Sequence, residues 1–176
     1  MSMFEYTGGS ESSRRSFLHK STGLVAALGL PQLLAQADQQ QSADTLVRVL
    51  HGTLTEEQRR KVCYDWNHVD PKRGLLRTRV SNNWMINDAM IHGDFYNGEQ
   101  KDLIRKIFES IISPQWSDKF EKQMEDDCGG FGREQAIGLF GDPTVGPFEL
   151  VFSGRHMTLR CDGNSAEGGA FGGPIF

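Results

Sequence analysis

Residues 148–161 read Phe148-Glu149-Leu150-Val151-Phe152-Ser153-Gly154-Arg155-His156-Met157-Thr158-Leu159-Arg160-Cys161. Apolar and polar side chains alternate on both sides of Gly154-Arg155, the period of two that marks a half-buried strand. A Gly-first turn at Gly154-Arg155 predicts a type II′ hairpin. Its opposed pairs are Ser153 with His156, Phe152 with Met157, Val151 with Thr158, Leu150 with Leu159, Glu149 with Arg160 and Phe148 with Cys161. One face is then apolar, Glu149 meets Arg160 on the other, and a one-residue shift would destroy that agreement. Gln135 to Phe140 predicts a further strand, closed by the turn residues Gly141-Asp142-Pro143.

Four helical segments precede these strands. Asp44 to His51 carries Leu46, Val47, Val49 and Leu50 and predicts a short helix stopped by Gly52. Thr55-Glu56-Glu57-Gln58 has the form of a capping box, which predicts a helix running to about Trp66. Asn97 with Gln100 starts another, in which Leu103, Ile104, Ile107, Phe108 and Ile111 recur at helical spacing. Ser113-Pro114 opens a fourth, with Trp116, Phe120, Met124 and Cys128 spaced four apart before Gly129-Gly130. The order predicts an α+β fold: short N-terminal helices packed on one face of an antiparallel sheet. Pro174-Ile175-Phe176 reads like the middle of a strand, so that sheet is expected to be incomplete in this chain.

Composition narrows the function classes. The 176 residues hold 38% hydrophobic side chains, which excludes a disordered chain, and 20 Gly with 6 Pro, which exclude a sustained coiled coil. Three cysteines, Cys63, Cys128 and Cys161, make neither a disulfide scaffold nor a C-x-x-C motif and predict buried thiols. At the start, Ser13-Arg14-Arg15-Ser16-Phe17-Leu18-His19-Lys20, an apolar stretch from Gly23 to Leu34 and the small-x-small site Ala35-Gln36-Ala37 follow in the order of a cleaved export signal. Arg14 and Arg15 before Phe17 and Leu18 resemble the twin-arginine signal, with His19 where a lysine commonly falls. That resemblance implies passage through the twin-arginine translocase as a folded protein, a periplasmic or extracellular location, and no stable membrane span after cleavage. The expected organisation is a signal peptide over 1–37, a flexible leader over 38–43 and one α+β domain over 44–176. Cleavage after Ala37 moves the formal charge from -4 to -5, because Arg14, Arg15 and Lys20 leave with Glu5 and Glu11. An acidic domain argues against nucleic acid as a partner.

The helix pair over Lys101 to Met124 with its Ile-Ser-Pro-x-Trp corner, the segment Ile137-Gly138-Leu139-Phe140-Gly141-Asp142-Pro143, the strand Phe148 to Gly154 and Arg155-His156-Met157-Thr158-Leu159-Arg160 occur in that order. Together they resemble the bacterial domain of unknown function 3500 family over residues 50 to 176, with Phe171-Gly172-Gly173-Pro174 matching a later glycine-rich stretch. Arg155 stands where many relatives carry a second histidine, and family members run longer, which implies a truncated version. The resemblance implies no activity.

Chemistry is sought in the titratable residues. His156, Arg160 and Asp162 place an imidazole, a guanidinium and a carboxylate along one strand and the loop after it, where Glu167 also lies; together they could serve acid-base chemistry on a small anionic ligand. His68 with Asp70 and His92 with Asp94 are H-x-D pairs, and His68, His92 and His156 together make a candidate metal site, so a metal ion is the one cofactor these residues suggest. Arg59, Arg60, Lys61, Lys72, Arg73, Arg77 and Arg79 form a basic segment that could dock a partner, or else pair with carboxylates such as Glu121, Glu125, Asp126 and Asp127. The expected function is thus an exported, enzyme-like domain that binds a small anion around His156 and Arg160. The alternative is a non-catalytic periplasmic binding module that uses Arg59 to Arg79.

Overall fold

The computed structural model describes residues 42–163 and 172–174; the signal segment with its Arg14, Arg15, Phe17, Leu18, Ala35 and Ala37, together with Glu167 and Phe171, lies outside them. The described residues belong to one compact unit, Gln40–Phe176. Helix α1 (Ala43–Thr53) starts at Ser42, whose hydroxyl accepts from the Thr45 amide. It passes through Gly52 and ends at Leu54 rather than stopping at the glycine. Helix α2 (Glu56–Val62) realises the Thr55 capping box: Thr55 Oγ1 accepts from the Gln58 amide and Gln58 Oε1 from the Thr55 amide. It stops four residues short of Trp66, because Cys63 and Tyr64 leave as strand β1 (Cys63–Tyr64), parallel to the strand that carries Leu139 and Phe140. Helix α3 (Gly98–Ile111) starts at the Asn97–Gln100 box. A 3-10 turn at Pro114–Trp116 leads into α4 (Ser117–Cys128), which Gly129 ends with a φ of 77°.

Two short strands, β2 (Val69–Asp70) and β3 (Gly74–Leu75), form a ribbon of their own. The main sheet has the order β1-β4-β5-β6-β7, with β4 (Gln135–Gly141), β5 (Phe148–Gly154), β6 (Met157–Cys161) and β7 (Gly172–Pro174). The class is α+β as expected, but β1 makes the sheet mixed rather than purely antiparallel.

The hairpin register differs from the expected one. Gly154 pairs with Met157, Ser153 with Thr158, Phe152 with Leu159, Val151 with Arg160 and Leu150 with Cys161. The turn residues are therefore Arg155 and His156, and Gly154 stays in the strand. Glycine is needed there for space: a Cβ at 154 would lie 2.4 Å from the Glu134 carbonyl oxygen and 2.8 Å from Gln135 Cγ. Moving the turn by one residue slips each strand against the other by two, and a two-residue slip keeps every side chain on its own face.

Both faces of the sheet are buried. Ile137, Leu139, Phe148, Leu150, Phe152, Met157, Leu159 and Cys161 meet α1, α3 and α4 through Leu46, Val47, Leu50, Ile104, Ile107, Phe108 and Met124. On the opposite face Ala136, Phe140 and Val151 meet Leu76, Trp84 and Ile86, which belong to the long strap between β3 and α3. The strap covers polar side chains by bonding to them. Trp84 Nε1 donates to Thr158 Oγ1 at 2.9 Å and the Ile86 amide donates to Ser153 Oγ at 2.8 Å. Arg160 Nε donates to Glu149 Oε1 at 3.0 Å and to the Arg77 carbonyl at 2.8 Å, while its Nη2 donates to the Arg79 carbonyl. The face expected to carry an open Glu149–Arg160 pair is thus an interior layer. The two residues meet diagonally, since Val151 is the one opposite Arg160.

All three cysteines are free thiols. Cys161 is buried, and burial pushes its thiol up to about 12 and that of Cys63 up to about 11. No helix among the described residues is long and apolar enough to cross a membrane.

Candidate functional site

Helix α4 ends in Glu125-Asp126-Asp127, with no basic residue in its last turn. Carboxylates at a helix C-terminus oppose the macrodipole, so the fold has to supply cations from elsewhere. The β5–β6 turn supplies them. Arg155 Nε donates to Asp127 Oδ1 at 2.9 Å, and His156 Nδ1 lies 2.9 Å from Asp127 Oδ2. The Arg155 bond, then the charges of Arg155 and His156, hold the Asp127 carboxyl below the usual carboxylate range against the opposing effect of desolvation.

The turn is fastened from two sides. The Arg155 amide donates to the Glu134 carbonyl at 3.1 Å, Arg155 bridges to Asn83, and the His156 amide donates to the Asn82 carbonyl at 2.9 Å. Fixed in this way, His156 takes a φ of 52°, the one positive value outside glycine among the described residues. A non-glycine side chain in the left-handed region costs free energy and persists where its surroundings over-determine it.

His156 borders an open groove of about 480 Å³ lined by Lys119, Lys122, Gln123, Asp126 and Asp127. Lys122 is paired with Asp126 at 2.6 Å. Lys119 forms no ion pair among the described residues, and its Nζ lies 4.2 Å from the centre of the Trp116 ring, which is 51% exposed. The lining carries two lysines, Lys119 and Lys122, against two aspartates, Asp126 and Asp127, so it is formally neutral before His156 is protonated; both aspartates are paired, Asp126 with Lys122 and Asp127 with Arg155. With Nδ1 committed to Asp127, Nε2 is the imidazole nitrogen left to act on a bound group.

The other expected residues are elsewhere. Arg160 is four residues along β6 from His156, about 13 Å at strand rise, and faces the strap. Its guanidinium is spent on Glu149 and two carbonyls. Asp162 lies further on, about 20 Å by the same rise, with a buried Oδ2 that has no partner among the described residues. The set His156, Arg160 and Asp162 is therefore not one site. His68 packs on Tyr64 at 5.1 Å between ring centres, and His92 is held by its amide on the Gly132 carbonyl. Among the described residues no group of three or more His, Cys, Asp or Glu side chains is gathered as a cation would need, so His68, His92 and His156 do not assemble the metal site expected of them.

The basic segment is largely used by the fold itself. Arg59 donates to the Leu54 and His51 carbonyls, Lys61 pairs with Asp88, and Arg73 bonds Asp70 and the Met85 carbonyl. Arg77 lies over the Trp66 ring and Arg79 over Trp84. Three of the four acids named as its partners are engaged elsewhere: Glu121 with Arg105, Asp126 with Lys122, and Asp127 with Arg155 and His156.

Sequence reasoning found His156 and missed Asp127, Arg155, Lys119 and Lys122. One signal was available: three successive carboxylates at the end of a helix are destabilising unless a cation from another segment comes to meet them. The fold and site together define an α+β domain with an aspartate-anchored histidine beside an open groove bordered by Lys119 and Lys122. Comparison with family models, with curated proteins and with solved structures gave no match, so the functional argument stands on this geometry alone.

Proposed function

We propose that the protein is exported through the twin-arginine route and that its folded unit binds a small anionic ligand in the groove beside His156, with His156 as the acid-base group. The observation that carries the reading is the Asp127–His156 ion pair, Nδ1 2.9 Å from Oδ2, at a groove where both aspartates are paired and Lys119 has no ion pair among the described residues. An imidazole oriented by a carboxylate is the usual arrangement for proton transfer or for binding an anion by charge-assisted hydrogen bond. Lys119 supplies the fixed charge; Nε2 donates to the anion when the ring is protonated and accepts a proton from the ligand when the ring is neutral. Arg160, expected at the site, has a structural role instead. The groove is preferred over the Arg59–Arg79 segment as the docking place because most cations of that segment are already engaged within the fold.

The test is an NMR titration with inorganic phosphate and with acetate at millimolar concentration. Saturable shifts of the His156 ring and of Lys119 are expected in the wild type and not in His156→Ala or Lys119→Ala. If neither anion moves these signals, or if both variants respond as the wild type does, the groove is not an anion site.

A further inference from the structure

We infer that Arg155 is the positioning residue of this site, holding Asp127 so that His156 keeps its proton on Nδ1 and presents the Nε2 lone pair to the groove. The inference rests on the groove reading for its purpose, but its geometry stands independently. Two consecutive turn residues share one carboxylate: Arg155 Nε takes Oδ1 and His156 Nδ1 takes Oδ2, each at 2.9 Å. A carboxylate gripped through one oxygen cannot rotate without breaking that charge-assisted bond, so the other oxygen stays aimed at the imidazole. Arg155 is itself immobilised by its amide on the Glu134 carbonyl and by the bridge to Asn83, so the grip has a fixed origin. Its side chain is 39% exposed and rests on no aromatic ring among the described residues.

The charged groups around the imidazole are Lys119, Lys122, Asp126 and Asp127 from α4 and Arg155 from the turn, with Glu134 and the Cys128 thiol close to Arg155. Of these, Asp127 alone bonds the ring, so the tautomer reports on Asp127 and on whatever orients it.

Imidazole nitrogen NMR on the full chain reads the tautomer directly. Neutral His156 is expected as the Nδ1–H form in the wild type, and Arg155→Gln should move the population toward Nε2–H, with Arg155→Lys intermediate because it keeps the charge without the fork. Asp127→Asn gives a sharper result. If Arg155 dictates the orientation, it captures the amide oxygen, the amide NH2 faces His156, and the ring is forced into the Nε2–H form. Adding Arg155→Gln to Asp127→Asn should then release that forcing. An unchanged tautomer ratio in folded Arg155→Gln, or retention of Nδ1–H in Asp127→Asn, overturns the assignment. Because no ligand enters the measurement, a tautomer response without any phosphate or acetate shift would remove the ligand reading and leave the role of Arg155 intact.

Discussion

Replacing Arg160 by methionine should be among the most damaging single changes in this chain. The side chains of Arg160 and Glu149 are 4% and 5% exposed, and the guanidinium makes three bonds: one to Glu149 Oε1 and two to the carbonyls of Arg77 and Arg79. Methionine matches the stem but removes every donor. Glu149 is then left as a lone buried carboxylate, which costs about 3–5 kcal/mol when a buried pair is broken from one side. The two strap carbonyls lose their donors as well, at about 1–3 kcal/mol each where the backbone cannot relax to water. Protonation of Glu149 limits the total, since burial already raises its carboxyl above the ordinary range in spite of Arg160. About 4 kcal/mol is the expected loss, a large share of the 5–15 kcal/mol that a domain typically has. At about 4 °C per kcal/mol for a chain of this size, the midpoint falls by about 15 °C.

The double variant Glu149→Met with Arg160→Met separates charge from packing. It removes both ions together, so its loss should be well below the sum of the two single losses, with a coupling of about 2 kcal/mol or more. Urea unfolding followed by tryptophan fluorescence measures all three variants, and hydrogen exchange at the Ile86 amide, bonded to Ser153 Oγ, reports whether the strap has lifted. A loss below about 1 kcal/mol for Arg160→Met, or simple additivity in the double variant, would refute the argument that this pair fastens the strap.

Gly154→Ala should lose about 2–3 kcal/mol by overpacking, because the new Cβ would sit 2.4 Å from the Glu134 carbonyl oxygen; a loss near zero in thermal unfolding would mean the β4–β5 approach is looser than described. Acid lability should depend on Asp70, whose carboxyl Arg73 holds at about 2: its contribution is complete above the unfolded value near 4 and vanishes as pH falls through 2, so Asp70→Asn should flatten the midpoint-versus-pH curve there. Glu149 has the opposite sign, since a raised carboxyl costs stability as pH climbs from about 4 through its folded value. An acid limb unchanged in Asp70→Asn would contradict the first of these. Arg14→Lys together with Arg15→Lys should leave the precursor unprocessed in the cytoplasm, and processing after Ala37 at the wild-type rate would remove the twin-arginine part of the proposal.

What was legible in the sequence was local. Thr55 with Gln58 and Asn97 with Gln100 each satisfy backbone amides three residues away, so type and spacing fixed both helix starts. The end of α2 was not legible, because Cys63 and Tyr64 are drawn out of the helix by parallel pairing with Leu139 and Phe140, more than seventy residues on. Hairpin register failed for a different reason. Alternation has a period of two and excludes a slip of one, yet it is blind to a slip of two. The strap side of the sheet was not legible because Ser153, Thr158, Glu149 and Arg160 are polar, and polarity alone does not tell a solvated face from a covered one. Ser153, Thr158 and Arg160 are each buried with a partner from the strap, and Glu149 is buried against Arg160; the strap has no helical or strand period to announce it.

The candidate site was half legible for the same physical reason. His156 stood out as a titratable residue beside a turn, but Thr158 and Arg160, expected on the same face, lie on the strap side and bond the strap instead. Asp127 lies 29 positions earlier at a helix end, where a carboxylate is electrostatically out of place. Two misplacements meet there. A left-handed histidine and a carboxylate against a helix dipole are each unfavourable alone, and each is offset by the other through one 2.9 Å bond, with Arg155 completing the arrangement. Stability alone would be served more simply by glycine in the turn and lysine at the helix end. That the chain instead retains two locally unfavourable residues in contact, beside an open groove bordered by Lys119 and Lys122, is the physical reason to treat this place rather than the buried Glu149–Arg160 pair as the working site.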